Sequence, residues 1–196
     1  MDFLEVVRRR RMVRRFTDEP VPWETVERIV RVAQRAPSAG YSQGVSFVAI
    51  DDAETRARVA EIVGEAGYVA AGFGPFVSSA PVQIVVCTSE EIYRARYREP
   101  DKRRAGARAN PWPVPYWHTD AGAALMLVLL AVVNEGLASA FVGVRDPDAV
   151  RAELGIPDDH MPIGVVAIGH PAPDRRSSSL KRGRKPLESM LHRNRW

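Results

Sequence analysis

Arginine is the residue type whose placement in this chain most suggests chemistry. Residues 8–15 read Arg-Arg-Arg-Arg-Met-Val-Arg-Arg, six positive charges without an acid. Residues 175–196 carry eight more, Lys181, Arg182, Arg184 and Lys185 among them, against the single acid Glu188. Guanidinium forks bind phosphate oxygens bidentately, so two such clusters point to an anion. Other chemistries find little support. His118, His160, His170 and His192 lie far apart, with no carboxylate or thiol at ligand spacing, so no metal site is expected. Neither Gly-x-Ser-x-Gly nor Cys-x-x-Cys occurs, and no catalytic nucleophile stands out. Cys87 sits among valines and reads as a buried, inert thiol. Gly72-Phe73-Gly74 imitates the start of a dinucleotide loop, but Val77 stands where the third glycine belongs. That segment reads as a surface loop.

The size of the anion is the next question. The formal net charge is +4, yet outside the two basic ends 14 basic and 23 acidic residues leave a net of −9. An acidic body opposes the broad electrostatic footprint that a polynucleotide needs. No helix-turn-helix, zinc finger or RNA-binding aromatic motif accompanies the arginines. A second reading is a solvated face, because arginine makes up 25 of the 28 basic residues. A third is a small phosphate ligand, which explains why the charge is local. The residue types alone leave all three open.

The elements that must position these residues follow from periodicity. A chain of 196 residues, 45% hydrophobic and 27% charged, is expected to form one domain over residues 1–196. Its one cysteine excludes an internal disulfide framework. The N-terminus lacks an apolar run of signal-peptide length, and the most apolar stretch, 121–133, is 13 residues. A soluble, cytoplasmic protein without membrane contact is the expectation. Phe3, Leu4 and Val7 mark a short helix, and Pro22 opens a second that Pro37 stops. Strands are read at 45–50, 81–88, 138–144 and 162–170, with the second apolar throughout and therefore buried on both faces. Helices begin at Asp52, Ser89, Thr119-Asp120 and Asp146-Pro147. The one from Thr119 to Asn134 is apolar nearly all round, as a core helix is. The order ααβαβααβαβ predicts helices flanking a mixed sheet.

Four patches carry a resemblance. They are Arg10-Arg11-Met12-Val13-Arg14-Arg15-Phe16 with Pro20-Val21, and Ala36-Pro37-Ser38-Ala39-Gly40-Tyr41-Ser42-Gln43 before a strand. The third is the apolar helix ending at Gly136-Leu137 and leading into Ala138-Ser139-Ala140-Phe141-Val142-Gly143. The fourth is Ile168-Gly169-His170-Pro171 followed by Lys181-Arg182-Gly183-Arg184-Lys185-Pro186-Leu187-Glu188. In this order they resemble the nitroreductase family of FMN enzymes.

The resemblance implies an α+β sandwich with a central mixed, mostly antiparallel sheet flanked by helices, in an intertwined homodimer with two FMN sites at its interface. Arg10, Arg11, Met12 and Arg14 would lie along the flavin's phosphate, ribityl and pyrimidine edge, with Arg182 and Arg184 closing on the phosphate. Ser38, Ala39, Tyr41 and Gln43 would approach the ring from the pyrimidine side. Phe141 and Gly143 would bring backbone groups near the flavin N5. A cation at Arg14 would stabilise negative charge on the reduced flavin.

Departures from the family pattern are informative. Met12 replaces a frequent Ser, Tyr41 stands where Asn usually contacts the flavin, and Gly44-Val45 replace Pro-Trp. Tyr41 could donate to the ring, stack on it, or fill the dimer interface. The aromatic segment 110–117, with Trp112, Tyr116 and Trp117, would either form a lid over a planar substrate or pack on the partner subunit. The expected activity is hydride transfer from NADH or NADPH through FMN to a nitroaromatic or quinone-like acceptor. Such a reaction needs no catalytic side-chain acid or base, because the cofactor performs the chemistry. The alternatives are an FMN store or sensor without turnover and, less favoured, a nucleic-acid-binding module.

Overall fold

A computed structural model describes residues 1–102, 112–175 and 177–196. Its helices are α1 (Phe3–Arg9), α2 (Trp23–Ala33), α3 (Ala53–Ile62), α4 (Glu65–Ala70), α5 (Glu90–Arg96), α6 (Tyr116–Asn134) and α7 (Pro147–Leu154). The strands are β1 (Val45–Ile50), β2 (Val82–Thr88), β3 (Ala138–Gly143) and β4 (Met161–Gly169). They form one sheet in the order β1-β2-β4-β3, antiparallel throughout. The parallel component is a bridge outside the named strands, between Met12 and Ser139.

Alternation along the two central strands builds a core on each face. Ile84, Val86, Val166 and Ile168 meet α2 and α6 through Val26, Ile29, Val128 and Val132. Val85, Cys87 and Val165 meet α3 and α7 through Val59, Val63 and Val150. Every residue of β2 is buried, including the polar Gln83 and Thr88 near either end of an otherwise apolar run. Helix α6 packs against α2, β1, β2 and β3. By length and composition it could cross a membrane, because the helix runs to 19 residues rather than the 13 of its most apolar stretch.

Capping explains most boundaries. Asp52 Oδ2 accepts from Thr55 N at 2.8 Å, and Asp146 Oδ1 from Ala149 N at 3.0 Å ahead of Pro147. Three boundaries depart from the sequence reading. Pro22 is the N-cap of α2, one residue outside the helix. Gly64, at φ 78°, turns the chain into the additional short helix α4. Helix α6 begins at Tyr116 instead of Thr119, because the Pro115 carbonyl accepts from His118 N at 2.9 Å and starts the turn early.

Candidate functional site

Residues 12–17 run beside the outer edge of β3 and the end of β4. Val13 N donates to Ser139 O at 2.9 Å, and Thr17 N to His170 O at 3.0 Å. Phe141 N donates to the Met12 sulfur at 3.4 Å. Ala172 N returns to Arg15 O at 3.0 Å, which fastens the start of the tail to the same segment. Arg14 is held twice. Its backbone N–H donates to Asp174 Oδ2 at 2.7 Å, and its guanidinium lies 4.9 Å from the Phe73 ring centroid.

Phe73 therefore belongs to this corner, although Gly72-Phe73-Gly74 read as a surface loop. A buried carboxylate anchors the chain just beyond it. Glu65 accepts from Val77 N at 2.5 Å, Ser78 N at 3.0 Å and Ser78 Oγ at 2.6 Å. Gln83 Nε2 secures the Val77 carbonyl at 2.9 Å. The sequence signal for this arrangement was weak, because a lone glutamate in a polar stretch looks like surface.

The donor set fits a phosphate-bearing ligand. Arg28, Arg96 and Arg151 pair with Glu135, Asp101 and Asp148 at 2.6 to 2.7 Å, and Arg58, Arg94 and Arg98 pair with Glu54, Glu90 and Glu91. Among the described residues, Arg10, Arg11 and Arg14 have no such carboxylate partner. Arg182 and Arg184 are exposed on the tail around the 3-10 turn Ser178–Arg182, and likewise lack one. Most described arginines in the body of the chain pair with nearby carboxylates, Arg35, Arg56 and Arg145 excepted; in the N-terminal cluster Arg9 pairs with Glu5, whereas Arg10, Arg11 and Arg14 retain their donors.

A second group of predicted residues lies elsewhere. Ala39 N donates to Asp120 Oδ2 at 2.8 Å, and Gln43 N to Ser38 Oγ at 3.0 Å. The Ala39 carbonyl accepts from Ser42 Oγ at 2.6 Å. Both backbone polar groups of Ala39 are thus engaged within the chain. Gly40, Tyr41 and Gln43 take φ of 65°, 57° and 54°. Gly40 is required on two counts, its positive φ and a Tyr97 ring that would stand 2.6 Å from a Cβ. The Tyr41 side chain projects outward, with the residue 74% exposed. Ser38 and Gln43 also line a cleft of about 500 Å³ with Arg31, Arg35 and Phe47.

The strand register separates the two groups. Met12 bridges Ser139, near the start of β3 at one sheet edge. Residues 38–43 lead into Val45 at the far edge, which pairs with Thr88 opposite Met161 at the other end of β4. Three strand steps from β3 to β1 span roughly 14 Å across the sheet, and about six residues add some 20 Å along it. Within one chain they occupy diagonal corners.

The aromatic segment is packed. Residues 103–111 lie outside the described residues, and so do Asn110 and Pro111 of that reading. Trp112 meets Tyr97, Tyr116 and Trp117 at centroid distances of 4.6, 5.6 and 6.1 Å. Trp117 is only 9% exposed and lies edge-on to Tyr93. Of these rings Tyr97 lies against Gly40 with Trp112 packed on it, and Tyr116 is the more open. Phe141 is likewise used internally, its ring lying across Gly164, where a Cβ would clash with it. Gly143, opposite Gly164, keeps an open approach.

Two titratable groups are perturbed by burial. The Cys87 thiol is pushed up to about 11 and stays neutral. The Tyr93 phenol is raised well above its ordinary value by burial, then by its hydrogen bond to Asp120. Asp120, read from sequence as a helix opener, lies inside α6 and takes the Tyr93 hydroxyl at 2.8 Å.

Helices on both faces of a four-stranded antiparallel sheet, with guanidiniums lacking carboxylate partners among the described residues at one corner, define an α+β domain with a cationic corner. The sequence pattern of the Nitroreductase family matches residues 7–170, and the chain belongs to that family. It is 29% identical over 184 residues to an FMN reductase [NAD(P)H] of Bacillus subtilis, covering 93% of this chain and 69% of that protein. Similarity also extends to an iodotyrosine deiodinase of Nematostella vectensis, at 25% identity over 97% of this chain and 74% of that one. A nitroreductase family protein of Streptococcus pneumoniae superposes with a TM-score of 0.78, at 24% identity over 98% of this chain and 100% of that chain. That last likeness shows the fold.

Proposed function

We propose that this protein is an FMN-dependent oxidoreductase that takes electrons from NADH or NADPH and passes them to a small planar acceptor, nitroaromatic or quinone-like. The observation that carries the reading is the set of arginines beside β3, Arg10, Arg11 and Arg14, without carboxylate partners among the described residues, on a chain of the nitroreductase family. The FMN reductase [NAD(P)H] relative supports the donor and cofactor.

Arg10 and Arg11 would take the phosphate, joined by Arg182 and Arg184 from the tail. Arg14, steadied by Phe73 and Asp174, would set its charge against the pyrimidine edge, favouring negative charge there. Met12 offers no hydroxyl, and its sulfur already accepts from Phe141 N. FMN, when bound, supplies hydride acceptance and release, so the chain's task is to bind, orient and exclude water.

The site would be composite. Because one chain holds the arginines and residues 38–43 at diagonal corners, a homodimer would bring the arginines of one copy to Tyr41 and Gln43 of the other. Tyr41, projecting from a strained turn, would face the planar acceptor together with Tyr116, which Trp112 and Trp117 support from below.

Purified protein tests this directly. A visible flavin band that bleaches anaerobically on adding NADH or NADPH is the expected result. A colourless protein that takes up no added FMN refutes the reading, and a flavin that neither nucleotide bleaches leaves a store or sensor.

A further inference from the structure

Residues 38–43, centred on the 3-10 turn Ala39–Tyr41, are an unusual piece of chain. Three left-handed φ values occur within four residues, and two of them belong to Tyr41 and Gln43, which carry side chains. Each such residue is strained and persists only where its surroundings over-determine it. The surroundings here are specific. Asp120, only 8% exposed, spends Oδ2 on both Ala39 N and Tyr93 OH, each at 2.8 Å. Arg96 Nε donates to the Gly40 carbonyl at 3.0 Å while its fork is clamped by Asp101. The Tyr97 ring closes the space beneath Gly40.

We infer that Asp120 is a positioning residue for the cofactor site: through Ala39 N and Tyr93 it locks residues 38–43 in the left-handed conformation that presents Tyr41 and Gln43 outward. The inference rests on the FMN reading for the identity of the ligand, while the lock itself stands on this chain's hydrogen bonds. It also reassigns Ala39. With its N–H given to Asp120 and its carbonyl to Ser42, Ala39 acts as the anchor of the segment and not as a hydrogen-bond partner of the cofactor. Presentation is left to Tyr41, the Gln43 amide and the Ser38 hydroxyl proton.

A carboxylate suits this role better than a neutral group. An ionised acceptor makes stronger hydrogen bonds, and one oxygen here serves a backbone N–H and a phenol together. Asparagine retains one acceptor for Ala39 N, so Asp120→Asn should keep most of the function. Leucine retains none and leaves that N–H unsatisfied.

Hydrogen exchange of the FMN-free protein gives the first readout. In Asp120→Leu the amides of Ala39 and Gln43 should exchange at least tenfold faster, with those of β2 unchanged. FMN titration by flavin fluorescence gives the second, with affinity falling about tenfold in Asp120→Leu and within about threefold of wild type in Asp120→Asn. If Asp120→Leu fails to fold, Tyr93→Phe keeps the ring volume, removes one of the two bonds, and should show the same changes more weakly. Unaltered exchange at residues 39–43, or an FMN affinity equal to wild type in Asp120→Leu, overturns the proposal. A wild-type protein that binds no FMN overturns the functional reading instead, with the exchange result still reporting on the lock.

Discussion

The Arg14 guanidinium sits 4.9 Å from the centre of the Phe73 ring, and its backbone N–H is tied at 2.7 Å to Asp174. An aromatic face and a distant aspartate together fix where one positive charge stands. Such a contact contributes about 0.5–1 kcal/mol when partly exposed. Phe73→Leu should accordingly weaken FMN binding by a small factor, about two- to fivefold. Arg14→Gln should do more, shifting the flavin midpoint potential to more negative values in a potentiometric titration. An unchanged potential would remove Arg14 from the pyrimidine edge.

The tail arginines make a separable claim. Arg182 and Arg184 are exposed and without carboxylate partners among the described residues. The double substitution Arg182→Ala with Arg184→Ala should lower FMN affinity at least tenfold, since bonds between charged groups contribute about 1.5–3 kcal/mol each. Equilibrium dialysis of the apoprotein with FMN measures it. Full flavin retention would refute a phosphate clamp from the tail.

Diagonal placement of the two half-sites predicts complementation between copies. One copy would carry Arg10→Ala and Arg11→Ala, and the other Asp120→Leu with Tyr41→Ala. Each homodimer should be flavin-poor. The mixed dimer, isolated with two tags, should regain one intact site of its two. Absence of any regain would place both half-sites within one chain.

Glu65 is buried and accepts three hydrogen bonds from residues 77–78. Glu65→Ala strands those donors and should cost about 2–4 kcal/mol, read as a lower urea midpoint at pH 7. Because the loop it anchors carries Phe73, FMN affinity should fall with stability. A midpoint within error of wild type would show the network to be dispensable.

The Cys87 thiol, at about 11 in the folded protein, titrates above its unfolded value of about 8.5. The folded state therefore favours the protonated thiol. Its contribution is full below the unfolded value and is lost as pH rises from there towards 11. Iodoacetamide at pH 8 should leave the native protein unmodified and alkylate it quickly in urea. Rapid native modification would contradict the burial.

Much of the architecture is legible in particular residues. The largely apolar runs of β2 and β4 need cover on both faces, and helical periodicity supplies it on either side. Asp52, Asp146-Pro147 and Gly155 mark helix ends through local chemistry that acts within three or four residues. The start of α6 was harder to place. Pro115 and the aromatics after it read as loop, yet Trp117 gains more from burial against Tyr93 and Thr88 than from solvent exposure.

By itself, then, the sequence determined most of the elements, the apolar layers and the residue type suited to an anion, because caps, periodicity and guanidinium chemistry are local properties. Tertiary structure decided which arginines remain unneutralised, that Phe73 stands under Arg14, and that Asp120 holds Ala39. Those pairings join residues 81 positions apart for Ala39 and Asp120, and 160 for Arg14 and Asp174. Only the folded chain brings such partners together, since hydrogen bonds and ring contacts depend on distance in space, which separation along the chain does not encode.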